Sequence, residues 1–191
     1  MNDRSIFRLA YTEVRRPLAL VAILLVGIVL SAAFPSKLAS YPVLPAGTSV
    51  PTEVRLTENY VRFVPTAVQI VLPLVLGDKV GLVQLLYVGV STTVLTHGLK
   101  HFLDDRWVDH TRLGQRPNGG SINMPSGHSS MASCAVYFIG RRYSLWLGLL
   151  LSVIVAMTMY ARVMLNAHTI SAVIAGALVG CLTTAWFTSQ R

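Results

Sequence analysis

The sequence predicts an all-α integral membrane protein: one membrane domain, 1–191, folded as a bundle of about six transmembrane helices. Three observations carry that prediction. Only 13% of residues are charged, about half the share usual in a soluble domain. Hydrophobic residues make up 53%, and the mean hydropathy is +0.57. Uncharged apolar runs recur along the whole length, separated by short polar stretches. A backbone exposed to lipid must satisfy its own hydrogen bonds, so such runs become helices.

The first run, residues 17–34, follows a basic N-terminal stretch and stops before Pro35. Basic residues, an apolar core and then Ser31-Ala32-Ala33 also suit a secretory signal peptide. The long apolar run and the 16 residues ahead of it favour a retained helix. The second run, 63–77, is short and carries Pro65 and Pro73. The third covers 80–99. The fourth opens near Ser126 and ends at Gly140, and the fifth covers 143–161. The sixth follows His168 and reaches about Thr188. A span needs roughly 20 residues, or about 17 at the short end. The second and fourth are therefore expected to extend into their flanks or to tilt. Gly176 and Gly180 form a GxxxG spacing with Ala172 one turn earlier, a pattern that lets helices approach closely. Two polar stretches, 35–62 and 104–125, complete the chain, and the first is expected to lie on the membrane surface.

The net charge is +8, but the basic residues sit in short loops between apolar runs. That placement points to anionic headgroups and membrane topology, with the bilayer as partner and no nucleic acid. With the N-terminus inside, the inner side holds Arg4, Arg8, Arg15, Arg16, Lys79, Arg141, Arg142 and Arg191. The outer side holds Lys37, Arg55, Arg62, Lys100, Arg106, Arg112, Arg116 and Arg162. The positive-inside rule is thus tied. The N-terminal cluster and the Arg141-Arg142 turn favour this orientation, and a phosphate site would explain the outer cations. Cys134 and Cys181 lie inside apolar runs and read as buried small hydrophobes, with no disulfide or metal role.

The chemistry concentrates around "NMPSGHSSM", residues 123–131. Pro125 suits a first helical turn. Ser126 and Gly127 leave N–H groups open at the positive end of that helix, where phosphate binds readily. His128 there can donate a proton near neutral pH. A capped helix start with an interfacial histidine would look the same, so the neighbours decide. Lys100 ends the third run, Arg116-Pro117 precedes Pro125, Arg162 ends the fifth run and His168 begins the sixth. All reach the same outer face. Ionisable groups at membrane depth are functional candidates by default. Two arginines, one lysine and two histidines on one face suit a phosphate ester, whose reaction needs cations for its oxygens, an in-line nucleophile and an acid. No HxxEH, CxxC or DxD grouping occurs, so neither a metal nor another cofactor is expected.

Lys100, Arg116-Pro117, Pro125-Ser126-Gly127-His128 and Arg162 with His168 together resemble the three signature motifs of the PAP2 superfamily, the type 2 phosphatidic acid phosphatases, over roughly 80–185. "ENYVRFVP", "THGLK", "RLGQRPNGG", "RRYS" and "AHTISAV" are similar to the lipid A 1-phosphatase branch of that superfamily. The resemblance implies a PAP2-type bundle and a metal-independent lipid phosphatase. It implies His168 as the nucleophile that forms a phosphohistidine and His128 as the acid for the leaving group. Lys100, Arg116, Ser126, Gly127 and Arg162 would bind the phosphate. It further implies a bacterial inner-membrane protein, multi-pass, with its site facing the periplasm, acting on lipid A or another phosphorylated membrane lipid. Undecaprenyl pyrophosphate and phosphatidylglycerophosphate are the alternative substrates, and transfer of the phosphate to a second lipid is the alternative reaction. A non-catalytic lipid binder is disfavoured by the two histidines.

Two departures accompany the resemblance. The superfamily places its lysine seven residues before the arginine, where this chain has Asp109. It places an aspartate four residues after the nucleophilic histidine, where this chain has Ala172, and no acidic residue follows Asp109 at all. The partner that orients His168 is therefore expected to be a neutral acceptor rather than Asp104, Asp105 or Asp109, which are expected to pair with Arg106 and Arg112.

Overall fold

The computed structural model describes residues 3–42 and 49–191, with the side chains of Asp3 and Arg4 outside the description. The inner placement of Arg4 and part of the polar stretch 35–62 therefore lie outside the described residues.

All six predicted runs are helical. They become α2 (Leu18–Ala33), α4 (Val64–Val75), α5 (Lys79–Leu103), α6 (Gly127–Arg142), α7 (Leu145–Met164) and α8 (Ile170–Phe187). Of these, α5, α7 and α8 are long and apolar enough to cross a membrane, and α2 is a shorter apolar helix. The expected extension of the second run takes another form: α4 has 12 residues with Pro73 inside it, and a 3₁₀ turn, Val61–Phe63, precedes it. Three local features lie outside the predicted runs. Polar residues form α1 (Asp3–Thr12) and α3 (Thr52–Asn59), and the 104–125 stretch folds a hairpin of β1 (Trp107–Val108) and β2 (Thr111–Arg112). The hairpin is antiparallel, with Trp107 opposite Arg112.

α6 and α8 form the centre of the bundle. Gly176 lies so close to the backbone of Ser126, and Gly180 to that of Ser130, that neither position has room for a Cβ. The Ser126 N–H also donates to the Ala172 carbonyl at 2.8 Å. The start of α6 is thus pinned to the start of α8, and the small residues of the GxxxG spacing allow it. Val88 of α5 packs with Cys134 and Phe138 of α6. Val21 and Leu24 of α2 pack with Ala185 of α8. Both cysteines are free thiols, Cys134 buried and Cys181 partly buried.

The two ends of the bundle differ. At one end Asp78 caps α5 through the Gly81 N–H at 2.9 Å. Its carboxylate accepts from Arg142 at 2.6 and 2.8 Å and from the Tyr143 hydroxyl at 2.8 Å. Burial alone would raise the Asp78 pKa, but Arg142, the Gly81 N–H and Tyr143 hold it down to about 2. Arg142 also donates to Gln84 and Ser189, closing a buried polar network. At the other end the described parts of the 35–62 stretch, residues 35–42 and 49–62, pack on the bundle. Ser36 and Ser171 exchange N–H to hydroxyl bonds at 3.0 Å, the Tyr41 hydroxyl accepts from Ile170 N–H at 2.7 Å, and α3 packs on α7.

Candidate active site

A cavity of about 390 Å³ opens at that second end. Its lining includes Lys100 from the last turn of α5, Arg116 from the following loop, Gly127 and His128 from the first turn of α6, Arg162 from the last turn of α7, and His168 just before α8. Six of the seven residues expected to form a site therefore share one cavity. Ser126 is the seventh, and it lies outside the lining. It is fully buried, and its hydroxyl caps α6 by accepting from the Ser129 N–H and hydroxyl.

Local structure explains how each group arrives. α6 begins at Gly127 because Ser126 caps it, which leaves His128 on its first turn. Thr169 caps α8 in the same way, which places His168 immediately outside that helix. The contact of α6 with α8 then brings the two histidines to one wall. Lys100 reaches the cavity because α5 continues past the predicted end at 99 to Leu103.

The cations are short of partners. Lys100 Nζ donates to the Ile122 carbonyl at 2.9 Å, and Arg116 reaches the same oxygen at 3.4 Å. Arg162 donates to Glu58 of α3 at 2.7 Å. Among the described residues, the Nε atoms of Arg116 and Arg162 are buried without a hydrogen-bond partner. Buried donors left unpaired are costly, and an anion with several oxygens answers that need. Burial, and then the neighbouring charge of Arg162, lower the pKa of Arg116, so adding an anion would relieve the repulsion between them.

His168 is 2% exposed. Its Nδ1 lies 2.7 Å from the Asn123 carbonyl oxygen. A carbonyl only accepts, so Nδ1 carries the hydrogen and Nε2 holds the lone pair of a ring that lines the cavity. Burial, followed by the charges of Lys100, Arg162 and Arg116, pushes its pKa down to about 2 against the opposing hydrogen bond to Asn123. Asn123 locks the same corner with its side chain, accepting from the Thr169 N–H at 3.1 Å and donating to the Thr169 hydroxyl at 3.0 Å. Ala172 is fully buried in an apolar cluster with Leu113 and Met124.

The loop carboxylates bind elsewhere. Arg112 pairs with Asp105 at 2.6 Å and Asp104 at 3.3 Å. Arg106 stacks over Phe102 instead of joining them. Asp109 sits in the hairpin turn with φ +51°. Sequence reasoning did not single out Asn123, Glu58 or the cavity-lining residues Thr92, Thr96 and Met131. His97 also lines the cavity.

The sequence pattern of the PAP2 superfamily matches residues 81–191. Lipid A 1-phosphatase of Helicobacter pylori strain J99 is 45% identical over 151 residues, 79% of each chain. The protein of that name from H. pylori strain 26695 is 45% identical over 153 residues, 80% of each chain. A solved structure of a transmembrane PAP2 type phosphatidylglycerolphosphate phosphatase from Bacillus subtilis has a TM-score of 0.48 and 20% identity, covering 88% of this chain and 92% of that one.

Proposed function

This chain belongs to the PAP2 superfamily, and from that premise we propose that it removes the 1-phosphate of lipid A through a phosphohistidine intermediate. It is a membrane lipid phosphatase, and one observation carries the chemistry. Two histidines and three cations line one cavity, with the lone pair of His168 left on Nε2. The choice of lipid A rests on the 45% identity to lipid A 1-phosphatases along four-fifths of both chains.

In this reading Nε2 of His168 attacks phosphorus in line. The bond between phosphorus and the glycosidic oxygen breaks, and His128 gives that oxygen its proton. Lys100, Arg116 and Arg162 take the charge spread over the equatorial oxygens, with the Gly127 end of α6 helping. Ser126 contributes by building that helix start. Water then attacks the phosphohistidine while His128 accepts its proton, and phosphate leaves with the original bond to Nε2 broken. The Asn123 carbonyl supplies the orienting contact that an aspartate makes in a hydrolytic triad. The site faces the periplasm of a bacterial inner membrane.

Mass spectrometry of lipid A from cells expressing the chain tests this. We expect loss of one phosphate, located at the 1-position, and no change with His168→Ala. Lipid A that keeps both phosphates in cells making the parent protein would refute the proposal.

A further inference from the structure

We infer that Asp104 is a positioning residue for this reaction: its carboxylate holds Ile122 in a left-handed backbone conformation, and that hold aims the carbonyls of Ile122 and Asn123 at the cationic groups and at His168. The inference rests on the function proposed above and concerns a residue outside its catalytic set.

Ile122 has φ +58°. A β-branched residue is a genuine outlier there, and such strain persists only where the surroundings over-determine it. Here they do so from both sides of the residue. The Ile122 N–H donates to Asp104 Oδ1 at 2.8 Å. Its carbonyl accepts from Lys100 at 2.9 Å and Arg116 at 3.4 Å. The very next carbonyl, that of Asn123, accepts from His168 at 2.7 Å. Two adjacent peptide oxygens thus serve three groups of the cavity, and Asp104 fixes the first of them. Asp104 is itself held, because its own carbonyl accepts from Arg112 Nε at 2.9 Å and Gly114 packs on it with no room for a Cβ.

Asp104 does not touch His168. Its carboxylate partners are the Ile122 N–H and Arg112. The ion pair with Arg112 is partly exposed, and exposed pairs contribute little, so the bond to Ile122 is the part with a consequence. Lys100 and Arg116 rest on a neutral oxygen, which they can leave for a phosphate because an anionic acceptor attracts a cation more strongly than a neutral one. The strap therefore keeps two like charges in place before substrate arrives.

A double-mutant cycle tests this in the purified full-length protein, with turnover measured on the lipid substrate. Asp104→Ala should lower kcat about 10²-fold, the scale of a 1 Å misplacement, with KM changed only a few-fold because every cation remains. Asp104→Asn keeps an acceptor oxygen for the Ile122 N–H and should stay within about tenfold of the parent. Ile122→Gly supplies a residue that takes φ > 0 without cost. Added to Asp104→Ala, it should restore most of the lost kcat, which a merely structural role for Asp104 would not allow. If Asp104→Ala does not accumulate in membranes, Ile122→Gly and the double variant still decide. Equal kcat supports the inference, and a further tenfold drop in the double overturns it. Full activity of Asp104→Ala overturns it as well. Absence of phosphate release from the parent would remove the proposed function, whereas parent activity without this coupling removes the strap alone.

Discussion

His168 gives its Nδ1 hydrogen to a backbone carbonyl, and that neutral acceptor replaces the charge an aspartate would bring. With Lys100, Arg116 and Arg162 nearby, burial drives the ring to about 2, far below the ordinary histidine value of about 6.5. The sign follows from linkage. A base whose folded pKa is depressed stays neutral in the native protein, while the unfolded chain takes up a proton below its ordinary value. The contribution of His168 to stability is therefore complete above about pH 6.5 and is lost as pH falls from there toward the folded value. The neutral ring, with the lone pair on Nε2, is present throughout the physiological range. Ring-nitrogen NMR of the detergent-solubilised protein, with His168→Ala to assign the signal, should show His168 unchanged between about pH 5 and 8. A midpoint near the ordinary value would contradict the burial and charge that the cavity imposes. The same residue shows where sequence reasoning stops. The expectation of a neutral acceptor came from the lack of any carboxylate after Asp109. That the acceptor is Asn123 had no sequence signal, because the contacting atom is main chain. Ile122 was equally illegible, since its residue type argues against the φ it adopts.

At the scale of elements, the contact of α6 with α8 does two jobs: it packs the centre of the bundle and sets the spacing of the two histidines. Gly176 abuts Ser126, two residues before His128. Gly176→Ala should therefore force the α6 start away from α8, costing about 1–3 kcal/mol as overpacking and lowering kcat more than binding. Gly89 has open space around an added Cβ, so Gly89→Ala should be neutral or stabilising by up to ~1 kcal/mol through helix propensity. Thermal unfolding of both variants in one detergent checks the contrast, and equal losses would mean that the close approach carries no energetic weight. The GxxxG spacing was legible because small residues at that interval have few other uses. The long apolar helices were legible for a similar reason: their length and lack of charge leave no other fold in lipid. α1 and α3 were missed because their polar sequences carry no such constraint. α4 stays short, with Pro65 in its first turn and Pro73 inside it. Glu58 was missed with α3, since its bond to Arg162 joins positions 104 residues apart.

Across the whole molecule, the bundle is polarised along α5. That helix has 25 residues, about 37 Å at 1.5 Å per residue, enough to cross a hydrocarbon core of about 30 Å. Asp78 stands at its start, within the buried network of Arg142, Gln84 and Ser189, beside the exposed Lys79. Lys100 stands near its finish, in the cationic cavity. The charge count across loops is tied between the two sides, so sequence alone leaves orientation to the N-terminal cluster and the Arg141-Arg142 turn. Geometry adds that Arg141 reaches back to the Arg15 carbonyl, which joins those two basic groups at the end opposite the cavity. We propose that this basic end is cytoplasmic, as the positive-inside rule favours, so that the cavity opens on the periplasmic side. Lys37 and Lys79 are both exposed and mark the two ends. Lys37→Cys should react with a membrane-impermeant maleimide in cells whose outer membrane has been permeabilised. Lys79→Cys should react only after the inner membrane is broken, with the parent as the background for Cys134 and Cys181. The reverse pattern would put the cavity on the cytoplasmic side, where it would meet lipid A before the lipid has been flipped rather than after.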